Sequence, residues 1–156
     1  MKLAVRYLLG VLTLGAMCLP SAVSAQQVAP GQHPEFLHAL TDLRAARGYL
    51  EKMTPNEAVD ADTSSAVHEI DSAIVLLKQA SIDDGKNLND HPPIDAHMQR
   101  SGRLSSAKQL LDQAHADVKQ PEGDPAAAAL QGRILAHIDA AHKYINQAIA
   151  ARGGRP

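Results

Sequence analysis

Four segments of this chain repeat apolar residues at intervals of three and four, and this spacing constrains the fold more than any other feature of the sequence. Apolar residues at this spacing share one face of an α-helix. No segment alternates apolar and polar residues over a useful length, as a half-buried β-strand does. We therefore predict an all-α fold.

Prolines and capping residues indicate where the four helices begin. Pro34 suits the first turn of the first helix, and the capping box opened by Thr54, with proline at N1, marks the second. We predict that the third helix starts near Asp95 and the fourth at Pro125, with Asp124 as N-cap. The inward residues of the four faces are predicted to be Leu37, Leu40, Leu43, Ala46, Leu50, Met53; Val59, Thr63, Ala66, Val67, Ile70, Ala73, Ile74, Leu77; Leu104, Ala107, Leu111, Ala114, Val118; and Leu130, Ile134, Ile138, Ala141, Ile145, Ala148.

A weak internal repeat relates the first helix to the third and the second to the fourth. Leu43, Ala46 and Leu50 match Leu104, Ala107 and Leu111, 61 residues further along. Helices built of Ala and Leu also resemble one another by composition alone, so a duplication and a chance likeness both stay open. We predict an antiparallel four-helix bundle of two helical hairpins over residues 33–152, after a flexible lead at 26–32 and before a tail at 153–156.

The first 25 residues have the layout of a secretory signal peptide. Lys2 and Arg6 precede the apolar run Tyr7–Leu19, and the small residues Val23 and Ala25 form a signal-peptidase site. The run is shorter than the ~18–20 apolar residues of a membrane-spanning helix. We predict cleavage after Ala25, export to the periplasm, and no stable membrane insertion of the mature chain.

Removal of residues 1–25 would leave the mature chain without cysteine. Cys18 is an alternative site of lipid attachment, although Met17 stands where such signals have a small residue. Without a thiol the mature chain has no disulfide and no thiolate-bound metal. Its 13 basic and 17 acidic residues and its three aromatic residues are not typical of a nucleic-acid binder.

Four segments of the chain stand out as a set: His33–Leu40 (HPEFLHAL), Asp42–Arg47 (DLRAAR), Asp83–Pro93 (DDGKNLNDHPP) and His137–Ala141 (HIDAA). In these segments the chain resembles a group of uncharacterised small exported bacterial proteins. The resemblance covers nearly all of the predicted mature chain. It implies an all-helical architecture and carries over no catalytic residue.

The motifs of common enzyme and calcium sites are incomplete in this sequence. There is no Gly-x-Ser-x-Gly elbow, and His68-Glu69 lacks the second histidine of a zinc-protease helix because Ser72 stands in its place. The stretch 83–90 offers oxygen ligands but departs from the calcium-loop pattern of the EF-hand. We predict that the protein is not an enzyme.

Histidine is the residue type that stands out, with 8 in 156 residues, all of them after the predicted cleavage site. An up-down-up-down bundle would bring the starts of the first and third helices to the ends of the second and fourth. The histidines predicted to meet there are His33, His38, His91, His97 and His142. Asp42 and Asp139 are predicted to orient His38 and His142. Imidazole suits copper, nickel and zinc ions, so this end is a candidate metal site.

The alternative is that these histidines are structural or solvent-exposed. No two of them are three or four residues apart within a helix, so ligands would have to come from different helices. His115 is predicted to be a solvated flank residue, and His68 and His137 to lie at edge or hydrogen-bonded positions. The sequence thus predicts an exported helical binding or interaction module, with a transition-metal binder as the alternative and a protein partner or second copy as candidate partners.

Overall fold

The computed structural model describes residues 34–52, 60–81, 92–95, 97–123 and 125–153. Its helices are α1 (Pro34–Glu51), α2 (Ala61–Ala80), α3 (Arg100–Val118) and α4 (Pro125–Gly153). No strand occurs within these ranges, so the all-α prediction is confirmed. The predicted signal peptide, the lead at 26–32 and residues 154–156 of the tail lie outside the described residues.

The four helices enclose one apolar core. α1 packs against α2 and α3, and α4 packs against the same two helices. Within the described ranges α1 does not pack against α4, nor α2 against α3, so each of these pairs is diagonal. The largest fully buried apolar side chains come from all four helices: Leu40, Leu43, Ile70, Leu77, Leu111, Val118, Ile134, Ile138 and Ile145.

Contacts near the helix ends define the helix directions. The Asp95 N–H donates to the Tyr49 hydroxyl at 3.4 Å, so the approach to α3 lies beside the end of α1. Arg100 at the start of α3 binds Asp60, which precedes α2, so both helices start at that same end. The charge of Arg152 acts on Asp60 as well, which places the end of α4 there. α2 and α3 are therefore parallel to each other and antiparallel to α1 and α4.

The predicted up-down-up-down connectivity is wrong. In that arrangement α3 would run antiparallel to α2, whereas both helices start at one end. The connection 82–99 has 18 residues, enough to span up to about 60 Å when extended, and α2 is only about 30 Å long. A connection of this length lets the chain return to the starting end before α3 begins.

α2 begins at Ala61 and not at the capping box of Thr54. The Asp60 carboxylate accepts a hydrogen bond from the Thr63 N–H at 2.6 Å, which makes Asp60 the N-cap. The same side chain binds Arg100 of α3. A cap whose side chain also binds a residue of α3 stabilises this start. The whole predicted box, residues 54–57, lies outside the described residues.

α3 likewise begins later than predicted, at Arg100 instead of near Asp95. The Asp95 Oδ1 accepts from the His97 N–H at 2.9 Å, which is a local turn of the kind that competes with helix. Arg103 then donates to the Met98 carbonyl at 2.7 Å. The start of α4 at Pro125 is confirmed.

The predicted inward faces are confirmed in large part. All five predicted residues of α3 are buried, and five of the six in α4, where Leu130 is half-buried. Leu37 and Val67 are also half-buried, whereas Met53 and Val59 lie outside the described residues. The helical spacing therefore identified the core-facing side of every helix.

None of the four described helices combines the length and the apolar character needed to cross a membrane.

Candidate functional site

The structure does not bring the predicted histidine cluster together. His38 lies near the start of α1, and His97 lies just before α3, at the opposite end of the helices. The 19 residues of α3 separate these ends by about 28 Å. Both side chains are exposed. His33 and His91 lie outside the described residues. The gathering of histidines at one end depended on the connectivity that proved wrong.

Of the two carboxylates predicted to orient histidines, Asp42 lies near its predicted partner His38, whereas Asp139 pairs with a different histidine. The pKa of Asp42 is raised by burial and by Asp117, and the nearby His38 only partly opposes this. Asp139 lies 3.4 Å from His115 of α3, and not against His142 of its own helix. The predicted relation within α4 is thus replaced by a contact between helices.

His142 and His115 belong to a crossed pair of motifs on α3 and α4. Each helix carries aspartate and histidine three residues apart, Asp112 with His115 and Asp139 with His142. His142 Nε2 lies 2.6 Å from Asp112 Oδ1, and His115 Nε2 lies 3.4 Å from Asp139 Oδ1. Because the helices are antiparallel, each histidine faces the aspartate of the other helix. The four side chains form what we call the Asp/His quartet.

Both ring nitrogens of His142 have polar partners. With a proton on Nε2, the ring donates to the Asp112 carboxylate. The Asn146 side-chain amide lies 3.4 Å from Nδ1 and can donate to it. Lys108 donates to the other Asp112 oxygen, Oδ2, at 3.2 Å. Asn146, His142, Asp112 and Lys108 therefore form one continuous polar chain along the helices.

Asp112 is held in its ionised form. Burial acts to raise the pKa of this carboxyl, but hydrogen bonds from His142 and Lys108 and the charge of these partners outweigh it and lower the pKa below 3.8. At neutral pH the quartet therefore contains a stable carboxylate at Asp112 that accepts from two sides.

The quartet lines a groove between α3 and α4, a cavity of about 660 Å³. Besides the quartet, this α3–α4 groove is lined by Lys143, Asn146, Gln147 and Ala150. The His142 side chain is only 21% exposed, whereas those of Asp112 and Asp139 are 56% and 69% exposed. The imidazoles thus form the wall of the groove, and the carboxylates stand at its open side.

A third histidine–carboxylate pair lies on the opposite flank of α4. His137 Nδ1 is 2.7 Å from Glu69 Oε2 of α2. The two side chains are 34% and 22% exposed, so the carboxylate is better shielded than those of the quartet. This pair connects two helices and does not line the α3–α4 groove.

A second groove lies between α1 and α2 and has a volume of about 500 Å³. Its polar side chains are largely engaged with each other. Arg47 contacts Glu51 of its own helix at 3.0 Å and Asp71 of α2 at 2.6 Å. Ile94 closes this groove against Gly48, where a Cβ atom would meet the Ile94 side chain at 3.3 Å. Ion pairs and close packing make this groove a poorer candidate for a ligand.

Sequence reasoning missed half of the quartet. His115 was predicted to be solvated, yet it is half-buried and lines the groove. The repeated Asp-x-x-His spacing in two helices of one predicted hairpin was the signal that could have revealed it. When two such motifs lie level with each other on neighbouring antiparallel helices, the histidine of each motif faces the aspartate of the other.

Across the described part of the chain, no three His, Asp or Glu side chains are already arranged around a common point as metal ligands. In comparisons with family models, curated proteins and solved structures, nothing matches this chain.

Proposed function

We propose that this chain is an exported, non-enzymatic binding module whose ligand site is the α3–α4 groove. The observation that carries the proposal is the Asp/His quartet, which concentrates two imidazoles and two carboxylates at one open groove. Binding sites in proteins are concave and place a few polar groups so that they converge on the ligand. The ligand is a small, strongly polar or cationic molecule that uses these groups.

The rest of the described surface offers less for a ligand. Val75 and Ile149 are the large apolar residues that stand exposed on the described helices, and scattered single residues of this kind are ordinary. The α1–α2 groove is crossed by the ion pairs of Arg47. A protein partner or a second copy of the chain remains a prediction from the sequence alone.

The non-enzymatic assignment is supported by the chemistry of the groove. Its described lining contains acids, imidazoles, amides and one lysine, but no hydroxyl or thiol side chain. Serine, threonine and cysteine, the nucleophiles that a histidine base commonly activates, are therefore not among its lining residues. The imidazoles are instead hydrogen-bonded to carboxylates of the facing helix, an arrangement suited to holding a ligand.

For the cellular setting, we propose cleavage after Ala25 and release of the mature chain into the periplasm as an antiparallel bundle of the hairpins α1–α2 and α3–α4. The contacts of α1 with α2 and of α3 with α4 support the two hairpins. The sequence of residues 1–25 supports export. Mass spectrometry of the protein from the cell envelope should find a chain that starts at Gln26, and a chain that starts at Met1 would contradict the proposal.

The binding site can be tested by NMR with a panel of compounds that spans the candidate ligand classes. ¹⁵N-labelled protein is titrated with divalent metal ions, polyamines and amino acids, and amide shifts are mapped onto the helices. We expect at least one class to shift the amides around Asp112, His142 and Gln147. The matched control is the pair Arg47 and Asp71 of the α1–α2 groove, whose amides should not move.

The substitution Asp139→Lys provides a second test. A lysine at this exposed position extends into the α3–α4 groove and reverses the local charge without opening the core. It should abolish the ligand-induced shifts while the rest of the spectrum stays unchanged. Shifts that map to the α1–α2 groove, or no saturable shift with any class, would refute the proposed function.

A further inference from the structure

We propose that the Asp/His quartet binds one divalent transition-metal ion through Nε2 of His115 and His142 and one carboxylate oxygen each of Asp112 and Asp139. This inference rests on the proposed function, since it names the ligand class of the α3–α4 groove. The site differs from the histidine end predicted from the sequence, because only His142 is a metal ligand in both and Asp139 was predicted only to orient it.

The ligand set matches the needs of such an ion. Two carboxylates neutralise the charge of a divalent cation, and two neutral imidazoles supply the nitrogen ligands that zinc, copper and nickel prefer. Lys143 also lines the groove and Lys108 contacts Asp112 at 3.2 Å, so these positive charges oppose a bound cation and lower its affinity. No thiolate is needed, in keeping with a mature chain that lacks cysteine.

The distances within the two pairs fit a shared ion. Ligand atoms around tetrahedral zinc lie about 3.3 Å apart when each is about 2.0–2.1 Å from the metal. His115 Nε2 and Asp139 Oδ1 already lie 3.4 Å apart. His142 Nε2 and Asp112 Oδ1 lie 2.6 Å apart, so this pair must open by less than an ångström.

The two pairs must also approach each other. They stand one helical turn apart along α3 and α4, about 5 Å, and no three of the described candidate ligands yet share a point. All four side chains must therefore change rotamer, the exposed carboxylates of Asp112 and Asp139 (56% and 69% exposed) and also the imidazoles of His115 and His142 (33% and 21% exposed). Ordering them costs side-chain entropy, so we expect micromolar and not nanomolar affinity.

Asn146 serves as a positioning residue. For Nε2 of His142 to bind a metal, its proton must move to Nδ1, which then needs an acceptor. The Asn146 amide lies 3.4 Å from Nδ1, and a flip of this amide presents its oxygen to Nδ1–H. Partners of this kind orient metal-binding histidines, and their loss weakens affinity about 10–100-fold.

The experiment is isothermal titration of the purified full chain with ZnCl₂ and, separately, with CuSO₄ and NiSO₄. We expect one ion per chain with Kd of about 10 µM or tighter, and copper bound more tightly than zinc or nickel because flexible ligands follow the Irving–Williams order. The double variant His115→Asn/His142→Asn should weaken binding at least 100-fold. Asn146→Leu should weaken it about tenfold.

The chain offers two matched controls. His137→Asn removes a histidine of similar exposure that also pairs with a carboxylate at 2.7 Å, but outside the groove. The double variant His38→Asn/His97→Asn removes exposed histidines at the two ends of the helices. Both should keep the wild-type affinity within twofold. Circular dichroism of every variant shows whether it is folded, and the electron spin resonance spectrum of the copper form should show two coordinated nitrogens.

Wild-type binding no tighter than about 100 µM would overturn the metal site, since isolated surface histidines bind this weakly. Loss of binding in a control variant, with the quartet variant unaffected, would overturn it equally. If no metal ion binds but a polyamine or an amino acid shifts the amide signals of the groove, the metal site is refuted and the proposed function is supported. If no class of compound shifts those amides, both fall.

Discussion

On each of its two flanks, α4 carries a histidine that contacts a carboxylate of a neighbouring helix. The two carboxylates differ in how well they are shielded from water. Towards α2, His137 lies 2.7 Å from Glu69, whose side chain is 22% exposed. Towards α3, His142 lies 2.6 Å from Asp112, whose side chain is 56% exposed. The distances are nearly equal, so geometry does not separate the two contacts.

Shielding gives the two contacts different consequences. A hydrogen bond to a half-buried carboxylate contributes to stability, because loss of one partner leaves the other partly desolvated. Exposed ion pairs contribute about 0–1 kcal/mol, since water and salt screen them. The α2 flank is therefore a structural connection. The α3 flank has two such pairs with exposed carboxylates beside an open groove, so loss of one partner there should cost little stability.

The largest expected effect comes from the core that both flanks share. Ile138 lies between His137 and Asp139 in α4 and is fully buried. Ile138→Ala should lower the free energy of unfolding by about 2–5 kcal/mol, because it removes buried methyl groups and leaves a cavity. Urea denaturation followed by circular dichroism measures it. A loss of unfolding free energy below about 1 kcal/mol would mean that Ile138 does not belong to a core shared by the two flanks.

The next effect concerns the start of α2, which anchors the structural flank. Asp60→Ala removes the N-cap of α2 and the contact with Arg100, and should cost about 1–2 kcal/mol. Asp62→Ala, in the same first turn but not at the cap, is the matched control and should cost about 0.5 kcal/mol or less. Equal losses in thermal unfolding would show that Asp60 acts through helix charge alone.

A direct comparison of the flanks should give a smaller but decisive difference. His137→Asn should lower stability by about 1 kcal/mol, because it leaves the shielded Glu69 without its imidazole partner. His142→Asn should cost about 0.5 kcal/mol or less, because Asp112 is open to water and keeps Lys108. If His142→Asn proved the more destabilising, the quartet would be structural and the comparison of the flanks would be reversed.

The smallest effect is the pH dependence of Asp60 and Asp112. Burial acts to raise the pKa of Asp60, but hydrogen bonds from Thr63 and the charge of Arg100 lower it below 3.8. The pKa of Asp112 is lowered in the same sense. A carboxyl whose pKa is lowered on folding stabilises the fold above its unfolded pKa and loses that contribution as pH falls through the folded value. Stability should therefore decline below pH 3.8.

Variants can separate the two carboxylates in this decline. Asp60→Asn should flatten the fall in melting temperature between about pH 4 and 2. Asp112→Asn should flatten it less, because this side chain is 56% exposed. The pKa shift of Asp42 has the opposite sign, since burial and Asp117 raise its pKa. Its ionised form therefore destabilises the fold, and Asp42→Asn should raise stability slightly at pH 7. An unchanged pH profile in Asp60→Asn would contradict the assigned role of this cap.

Local patterns predicted some features and missed others for identifiable reasons. Leu104, Leu111 and Ile138 are buried as predicted, because burial of a helix face follows directly from residue spacing. The start of α2 was misplaced because the Thr54 box and the Asp60 cap are both good local signals. Arg100, 40 residues later, contacts Asp60, and a contact over that distance is not readable from the local sequence.

The sequence by itself determined that this protein is helical, which side of each helix is buried, and which residue types are available for binding. The tertiary structure alone decided which of those residues meet. The long connection 82–99 permits either direction for α3 relative to α2, and the direction taken separates His38 from His97. The packing of α4 against α3 in the antiparallel sense sets Asp112 opposite His142. Helical periodicity is a property of residues a few positions apart, whereas a binding site depends on the relative direction and height of whole helices, which only their packing defines.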